Sequence, residues 1–443
     1  MSDTPLYPSP TSDRENAQLF NQLVRPTLTG TRRENPTVLF VAGPPGAGKT
    51  SVQSKLVQRL GQQDPFPLDG DDLLSLHPRH TALAQDNDLT AAFLVSEDLK
   101  GRWWTRAARL LRAQHLDLVI SAPLAGPDWA IARFEDFRRA GYGDVSVAFV
   151  ATHEAQSLQG IVTRFHHARQ ATGYGRWVPP QWHDAAYSGV LDTADQIDIR
   201  ASVHKVYVAR RDGTLVHSNQ RDPSGTWMLG GATRQAIEAE RNRPWSEAES
   251  ARFLRGQGQL RIEMSAEWTP LLDSIDRRAI EVIAPLTVHD DAQLEVRHVE
   301  SERLLRRSEH EFKVARDLGE YHVEQHRSGA NATHIERLQA AGTPPPEVRR
   351  ARDRMHQERW GTNITSFDLH RRFTSAQQLV DAIDREKQRR AALTPEQLRH
   401  EEHARRHVQK IATTQKPPAI TPRAEGWRQG GPERKSSRGG MGL

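Results

Sequence analysis

Thr37-Val38-Leu39-Phe40-Val41-Ala42-Gly43-Pro44-Pro45-Gly46-Ala47-Gly48-Lys49-Thr50-Ser51-Val52 is the stretch that decides the fold. Its first six residues are a continuous apolar run of buried-strand length. Next comes a loop matching G-x-x-x-x-G-K-[ST]. Val52, Leu56, Val57 and Leu60 then recur at helical spacing. Each residue type in the loop has a physical task. Gly43, Gly46 and Gly48 permit backbone angles that side chains forbid, so successive N–H groups can turn inward around an anion. Pro44, Pro45 and Ala47 fill the turn, and Ser51 follows Thr50 into the first helical turn, where free N–H groups and the helix dipole favour negative charge. Lys49 supplies a mobile cation for the β- and γ-phosphates, and the Thr50 hydroxyl is the expected Mg2+ ligand. Strand, loop and helix stand in the order the motif demands. Residues 43–51 therefore read as a site for the phosphates of ATP or a close relative.

Working outward, Leu116–Ile120 and Val145–Ala151 are two further buried-strand candidates, separated from the first by helical patterns. Continuous apolar runs alternating with helices indicate an α/β domain built on a mainly parallel sheet with helices on both faces. About twenty residues beyond Lys49 stands the acidic turn Asp69-Gly70-Asp71-Asp72. Loops at the carboxyl ends of parallel strands gather at the ligand crevice. A carboxylate there can take the proton of an attacking hydroxyl or hold Mg2+; alternatively Asp72 only caps the next helix. Val203–Val208, Asp212-Gly213 and Leu215-Val216 read as strand, turn and strand. From Arg234 the chain is a charged helical pattern broken by prolines. This gives a helical lead-in over 1–35, the phosphate-binding domain over 36–232, a mainly helical region over 233–412 and a disordered basic tail over 413–443.

Composition narrows the function classes. The 443 residues are 36% hydrophobic and 26% charged, ordinary for a globular chain. There is no cysteine, which excludes disulfides and thiolate metal sites and makes a reducing cytoplasm the default. No apolar run approaches the ~20 residues of a membrane helix, and the N-terminus lacks the charge and apolar pattern of a signal peptide. The net charge of +5 resides in the tail: 401–443 holds nine Lys or Arg against four Asp or Glu, leaving 52 of each sign in 1–400. A basic footprint for nucleic acid is absent from the body of the chain.

Six segments together resemble the zeta toxin family of bacterial toxin–antitoxin systems. They are VLFVAGPPGAGKTSV (38–52), LDGDDLLSLHP (68–78), LDLVIS (116–121), AGYGDVSVAFV (140–150), LQGIVTRF (158–165) and GYGRWVPPQWHDAAY (173–187). They span roughly residues 20–200 in consistent order. The resemblance implies a P-loop kinase fold and transfer of the ATP γ-phosphate to UDP-N-acetylglucosamine or another nucleotide sugar, with a small antitoxin that covers the nucleotide site. It implies nucleotide and Mg2+ contacts for Lys49 and Thr50, general-base chemistry for Asp71, and stabilisation of the transferring phosphoryl group by Arg164 and Arg176. Two arginines and one base beside the loop suit a reaction catalysed by positioning and charge neutralisation.

The sequence departs from the family on the acceptor side. Ser121-Ala122-Pro123 stands where Glu-Gly-Thr is common, and Thr105 falls where a family acid stands, with Glu97 and Asp98 as neighbouring substitutes. Trp103 and Trp104 are expected in the core, although one of them can stack on an acceptor ring. His183 and Asp184 are expected as a supporting pair. Two other readings remain open: an NTPase with a protein or nucleic-acid partner, and an ATP-binding homologue without catalysis.

Overall fold

The computed structural model describes residues 11–62, 64–317, 333–360 and 366–414. Its centre is one six-stranded sheet in the order β2-β3-β1-β4-β5-β6. The strands are β1 (Thr37–Ala42), β2 (Phe66–Asp69), β3 (Leu118–Ala122), β4 (Asp144–Val150), β5 (Lys205–Ala209) and β6 (Leu215–Gln220). Strands β1 to β5 run parallel, and β6 returns antiparallel to β5 through the Asp212-Gly213 turn, where Gly213 has φ +88°. The apolar runs are continuous because both sheet faces are covered. Phe40 of β1 pairs with Ile120 and Val147 and meets Phe134 edge-on at 4.8 Å between ring centroids. Its neighbours Leu39 and Val41 point the other way, onto Val52 and Leu56 of the helix Lys49–Arg59. Strand alternation thus assigns adjacent β1 residues to two separate cores.

The lead-in is the helix Asp13–Leu19 continued by a wider turn over Phe20–Val24. It is tied to the sheet domain by the buried carboxylate of Asp98, which accepts from the Thr11 hydroxyl at 2.6 Å and from Asn16 Nδ2 at 3.3 Å.

Beyond β6 the chain is helical, with long helices at Glu247–Glu263, Asp291–Asp317, Ser366–Ala391 and Pro395–Thr414. The last runs two residues past 412, and the expected tail beyond Thr414 lies outside the described residues. These helices carry many charges, yet they bury several. Glu401 is fully buried and accepts from Arg389, Arg255 and Arg405 at 2.7–3.1 Å. A buried carboxylate survives only with such partners. The helix Glu154–Thr172 joins the two halves of the molecule. Its Ile161 and Val162 pack with Phe253, Leu254, Leu272 and Ile275 of the C-terminal helices, and Gln159 Nε2 donates to the Phe253 carbonyl at 2.8 Å. No helix among the described residues is long and apolar enough to cross a membrane.

Candidate active site

The carboxyl ends of β1, β2 and β3 open into a cavity of about 770 Å³, within the range of about 300–1,000 Å³ typical of small-molecule sites. The phosphate loop forms one wall. Gly46 and Gly48 have φ +76° and +93°, the left-handed region expected of the motif. Gly46 also lies against the backbone of the Glu154–Thr172 helix: a Cβ there would come 1.9 Å from the Ser157 carbonyl oxygen. Lys49 Nζ donates to the carbonyls of Gly43 at 2.9 Å and Pro44 at 3.1 Å, folding its side chain back over the loop. Burial is the largest influence on this ammonium. With nearby Arg164 and Arg176 adding to it and Asp69 opposing, the pKa of Lys49 falls to about 8. Thr50 and Ser51 line the same wall.

The acidic turn closes the floor. Asp69 ends β2 and caps the short helix Gly70–Ser75, its carboxylate accepting the Asp71 N–H at 3.0 Å. The cap is therefore Asp69, not Asp72. The helix starts three residues earlier than a cap at Asp72 would place it, because Gly70 enters it directly from the strand. Capping by Asp69 sets the direction of Asp71, which lines the cavity and meets both arginines. Arg164 Nη1 lies 3.2 Å from Asp71 Oδ2, and Arg176 contacts Asp71 Oδ1. Burial pulls both guanidinium pKa values down, opposed by the charge of Asp69. Lys49, Thr50, Asp71, Arg164 and Arg176, scattered over 128 positions of sequence, thus border one cavity.

Two further residues, Asp88 behind the site and Arg211 on its wall, escaped the sequence reading. Asp88 is nearly buried and accepts from Arg169 Nε at 2.8 Å, Arg169 Nη2 at 2.6 Å and the Gly175 N–H at 2.8 Å. It ties the loop bearing Arg176 to the end of the helix bearing Arg164. Burial alone would raise its pKa, but these donors outweigh it and hold the carboxylate below the usual range. Arg211, on the β5–β6 turn, packs beside Gly48 and Gly160 and donates to the Gln156 carbonyl at 3.1 Å. Neither residue has a local signal. Each acts through partners more than fifty positions away.

Other expectations are redistributed. Asp98 does not stand in for a missing acceptor-side acid: it is buried among Thr11, Asn16, His77 and Arg102, and Glu97 points to solvent. Thr105 is not on the cavity wall, whereas Ser121, Ala122 and Pro123 are. Among the described residues, the acids lining the cavity are Asp69 and Asp71. Trp103 is a core residue, donating to the Asn16 carbonyl. Trp104 is mostly buried but also borders the cavity, beside Trp129. His183 and Asp184 do form a pair, at 2.9 Å. The buried His183 ring also bonds Ser157 Oγ at 2.7 Å, and Arg278 grips Asp184 with two 2.8 Å bonds. This chain of bonds braces the helix beneath Gly46.

Comparison with known proteins agrees with the motifs. Residues 23–222 match the family described as Zeta toxin. A curated protein named Toxin zeta from Enterococcus hirae is 22% identical over 260 residues, covering 57% of this chain and 86% of that one. A Toxin zeta from Streptococcus pyogenes is 22% identical over 283 residues, covering 62% and 93%. Among solved structures, a chain from the PezAT chromosomal toxin–antitoxin system of Streptococcus pneumoniae is similar at 19% identity and a TM-score of 0.47, covering 57% of this chain and 97% of that one. A chain of the AvrRxo1-ORF1:-ORF2 structure with ATP follows at 14% identity and 0.39, covering 59% and 88%. The match over residues 23–222 places that segment, 200 of the 443 residues, with the zeta toxin family.

Proposed function

We propose that this protein is an ATP-dependent phosphotransferase that phosphorylates a hydroxyl of a small acceptor in the cytoplasm and acts as a zeta-like toxin, restrained by a small antitoxin. The observation that carries this reading is the convergence of Lys49, Arg164, Arg176 and Asp71 on one cavity beside the phosphate loop. The family points to UDP-N-acetylglucosamine or a related nucleotide sugar as the first acceptors to test.

In the proposed reaction the loop N–H groups and Lys49 hold the β- and γ-phosphates of ATP. The acceptor oxygen attacks the γ-phosphorus, the bond from that phosphorus to the β,γ-bridging oxygen breaks, and ADP leaves with the electron pair. The acceptor proton passes to Asp71. Arg164 and Arg176 face the transferring group, where their planar forks match charge spread over three oxygens. In the free protein both arginines rest on Asp71. A polyphosphate offers them a stronger anionic partner, so nucleotide binding would release Asp71 to act as a base. The donor set suits Mg2+: the Thr50 hydroxyl borders the phosphate wall and the Asp69 carboxylate lines the floor, both hard oxygen ligands. Thr50 would hold the ion, which would neutralise the β- and γ-oxygens.

The test is transfer of label from [γ-32P]ATP to a panel of nucleotide sugars and other hydroxyl compounds. Wild type is expected to label an acceptor and Lys49→Ala to lose the activity. Equal behaviour of the two proteins across the panel refutes the proposal.

A further inference from the structure

Among the described residues four cations line the cavity, and the proposed transfer uses three of them, Lys49, Arg164 and Arg176. The fourth is Arg211, on the turn between β5 and β6. Two glycines make room for it. A Cβ on Gly48 would lie 3.2 Å from Arg211 Nε, and a Cβ on Gly160 would lie 3.1 Å from Arg211 Nη2. The guanidinium therefore sits in the angle between the start of the helix Lys49–Arg59 and the helix Glu154–Thr172. Gly48 is the N-cap of the first of these, so the free N–H groups of its opening turn lie beside Arg211.

The charge of Arg211 is not neutralised where it stands. Arg164 and Arg176 rest on the Asp71 carboxylate. Arg211 Nη1 instead donates to the neutral Gln156 carbonyl at 3.1 Å, and no carboxylate of the described residues forms an ion pair with it. Burial disfavours its cation, and the nearby charge of Arg252 on the helix Glu247–Glu263 adds to the effect, drawing the pKa down. A cation held in this state beside helix N–H donors is a ready partner for an anion.

The helix Glu154–Thr172 sets the spacing. Gln156, Gly160 and Arg164 follow one another at four-residue intervals and share one face. Arg211 meets the helix at Gln156 and Gly160, and Arg164 leaves it about one turn farther on, roughly 6 Å along the axis. Two P–O–P links separate the α- from the γ-phosphorus of ATP, a span on that scale. With the γ-phosphate between Arg164 and Arg176, a triphosphate running over the loop brings its α-phosphate to Arg211.

We propose that Arg211 is a nucleotide-binding residue that donates to the α-phosphate of the donor, which stays on the departing ADP, while Arg164 and Arg176 serve the phosphate that is transferred. This rests on the kinase reading for the identity of the transferred group. Arg211 then governs nucleotide affinity and not the transfer step.

The test is calorimetric titration of the full chain with ADP and a non-hydrolysable ATP analogue, with AMP measured by its competition against ADP. Arg211→Gln keeps an amide donor for the Gln156 carbonyl but loses the charge, whereas Arg211→Lys keeps the charge without the planar fork. Arg211→Gln is expected to weaken all three nucleotides by the same factor, about ten- to a hundredfold, the scale of one lost charge-assisted hydrogen bond. Its kcat at saturating ATP is expected to stay nearly unchanged, and Arg211→Lys is expected to lose less affinity than Arg211→Gln. The proposal is overturned if Arg211→Gln leaves ADP binding unchanged. A loss confined to the ATP analogue overturns it by placing Arg211 at the γ-phosphate, and a loss that spares AMP overturns it by placing Arg211 at the β-phosphate. A greater loss in Arg211→Lys than in Arg211→Gln also overturns it, because Arg211 would then be a strut for the turn. Arg211-dependent ADP binding without label transfer from ATP to any acceptor would refute the kinase reading alone.

Discussion

Replacing Gly46 with alanine adds one methyl group at the point where the phosphate loop is pressed onto the helix beneath it. Gly46 has φ +76°, so the substitution costs about 1–2 kcal/mol in backbone strain. The new Cβ would lie 1.9 Å from the Ser157 carbonyl oxygen and 2.9 Å from Ile161 Cγ1, where real contacts essentially never fall below 3.0 Å. The helix cannot easily retreat, because Ser157 is buried and bonded to His183, whose partner Asp184 is held by Arg278. The loop must therefore shift outward by about 1 Å. Loop N–H groups moved by that distance lose one or two hydrogen bonds to charged phosphate oxygens, at roughly 1.5–3 kcal/mol each, so ATP binding is expected to weaken on the order of 100-fold, or about 2.7 kcal/mol. Gly61→Ala is the matched control: φ there is +69°, but no atom of the described residues lies within 4 Å of the added carbon. It is expected to lower the melting temperature modestly and leave ATP affinity intact. Isothermal titration with ATP and a thermal melt on both variants measure the two quantities. Gly46→Ala binding ATP within threefold of wild type would refute the packing argument, as would an equal loss in Gly61→Ala.

Asp88→Asn keeps the shape of the clamp but removes its charge. It is expected to lower kcat about ten- to a hundredfold through Arg176, with the KM for ATP nearly unchanged; steady-state kinetics on the labelled acceptor measure the split, and an unchanged kcat contradicts the assignment. Lys49 titrates near 8 in the free protein because burial disfavours its charge. A bound polyphosphate would raise that value, so ATP binding between about pH 8 and 9 is expected to take up a proton and to weaken as pH rises. Titration calorimetry in buffers of different ionisation enthalpy reads the proton directly, and no uptake at pH 8.5 contradicts the assignment. The same depressed pKa means that the unfolded chain binds more protons than the folded one between about pH 8 and 10.5, so this group's contribution to stability rises with pH there.

What the sequence reveals here is what is local. The loop 43–50, the runs that became β1, β3 and β4, and the β5–β6 turn are each specified by neighbours in the chain, so pattern alone finds them. Arg164 and Arg176 were reached through family resemblance, since an isolated arginine carries no periodic signal. Asp88 and Arg211 lay beyond either route: their meaning comes from Gly175, Arg169, Gly48 and Gly160, which only the fold brings close. Asp98 shows the converse. Its position near the acceptor side invited a chemical role, but the lead-in helix captures it for packing. The charged C-terminal helices are opaque for a related reason. Glu386 and Glu401 look like surface residues until the arginines that bury them are in place.

The most direct test of the central claim is γ-phosphate transfer by wild type and Asp71→Asn, measured alongside ATP binding. Asparagine preserves the size of the side chain but cannot take the acceptor proton. The expected result is ATP binding within a few-fold of wild type with label transfer reduced by at least 100-fold, on the scale of a lost general base. Label transfer at the wild-type rate in Asp71→Asn would contradict the account.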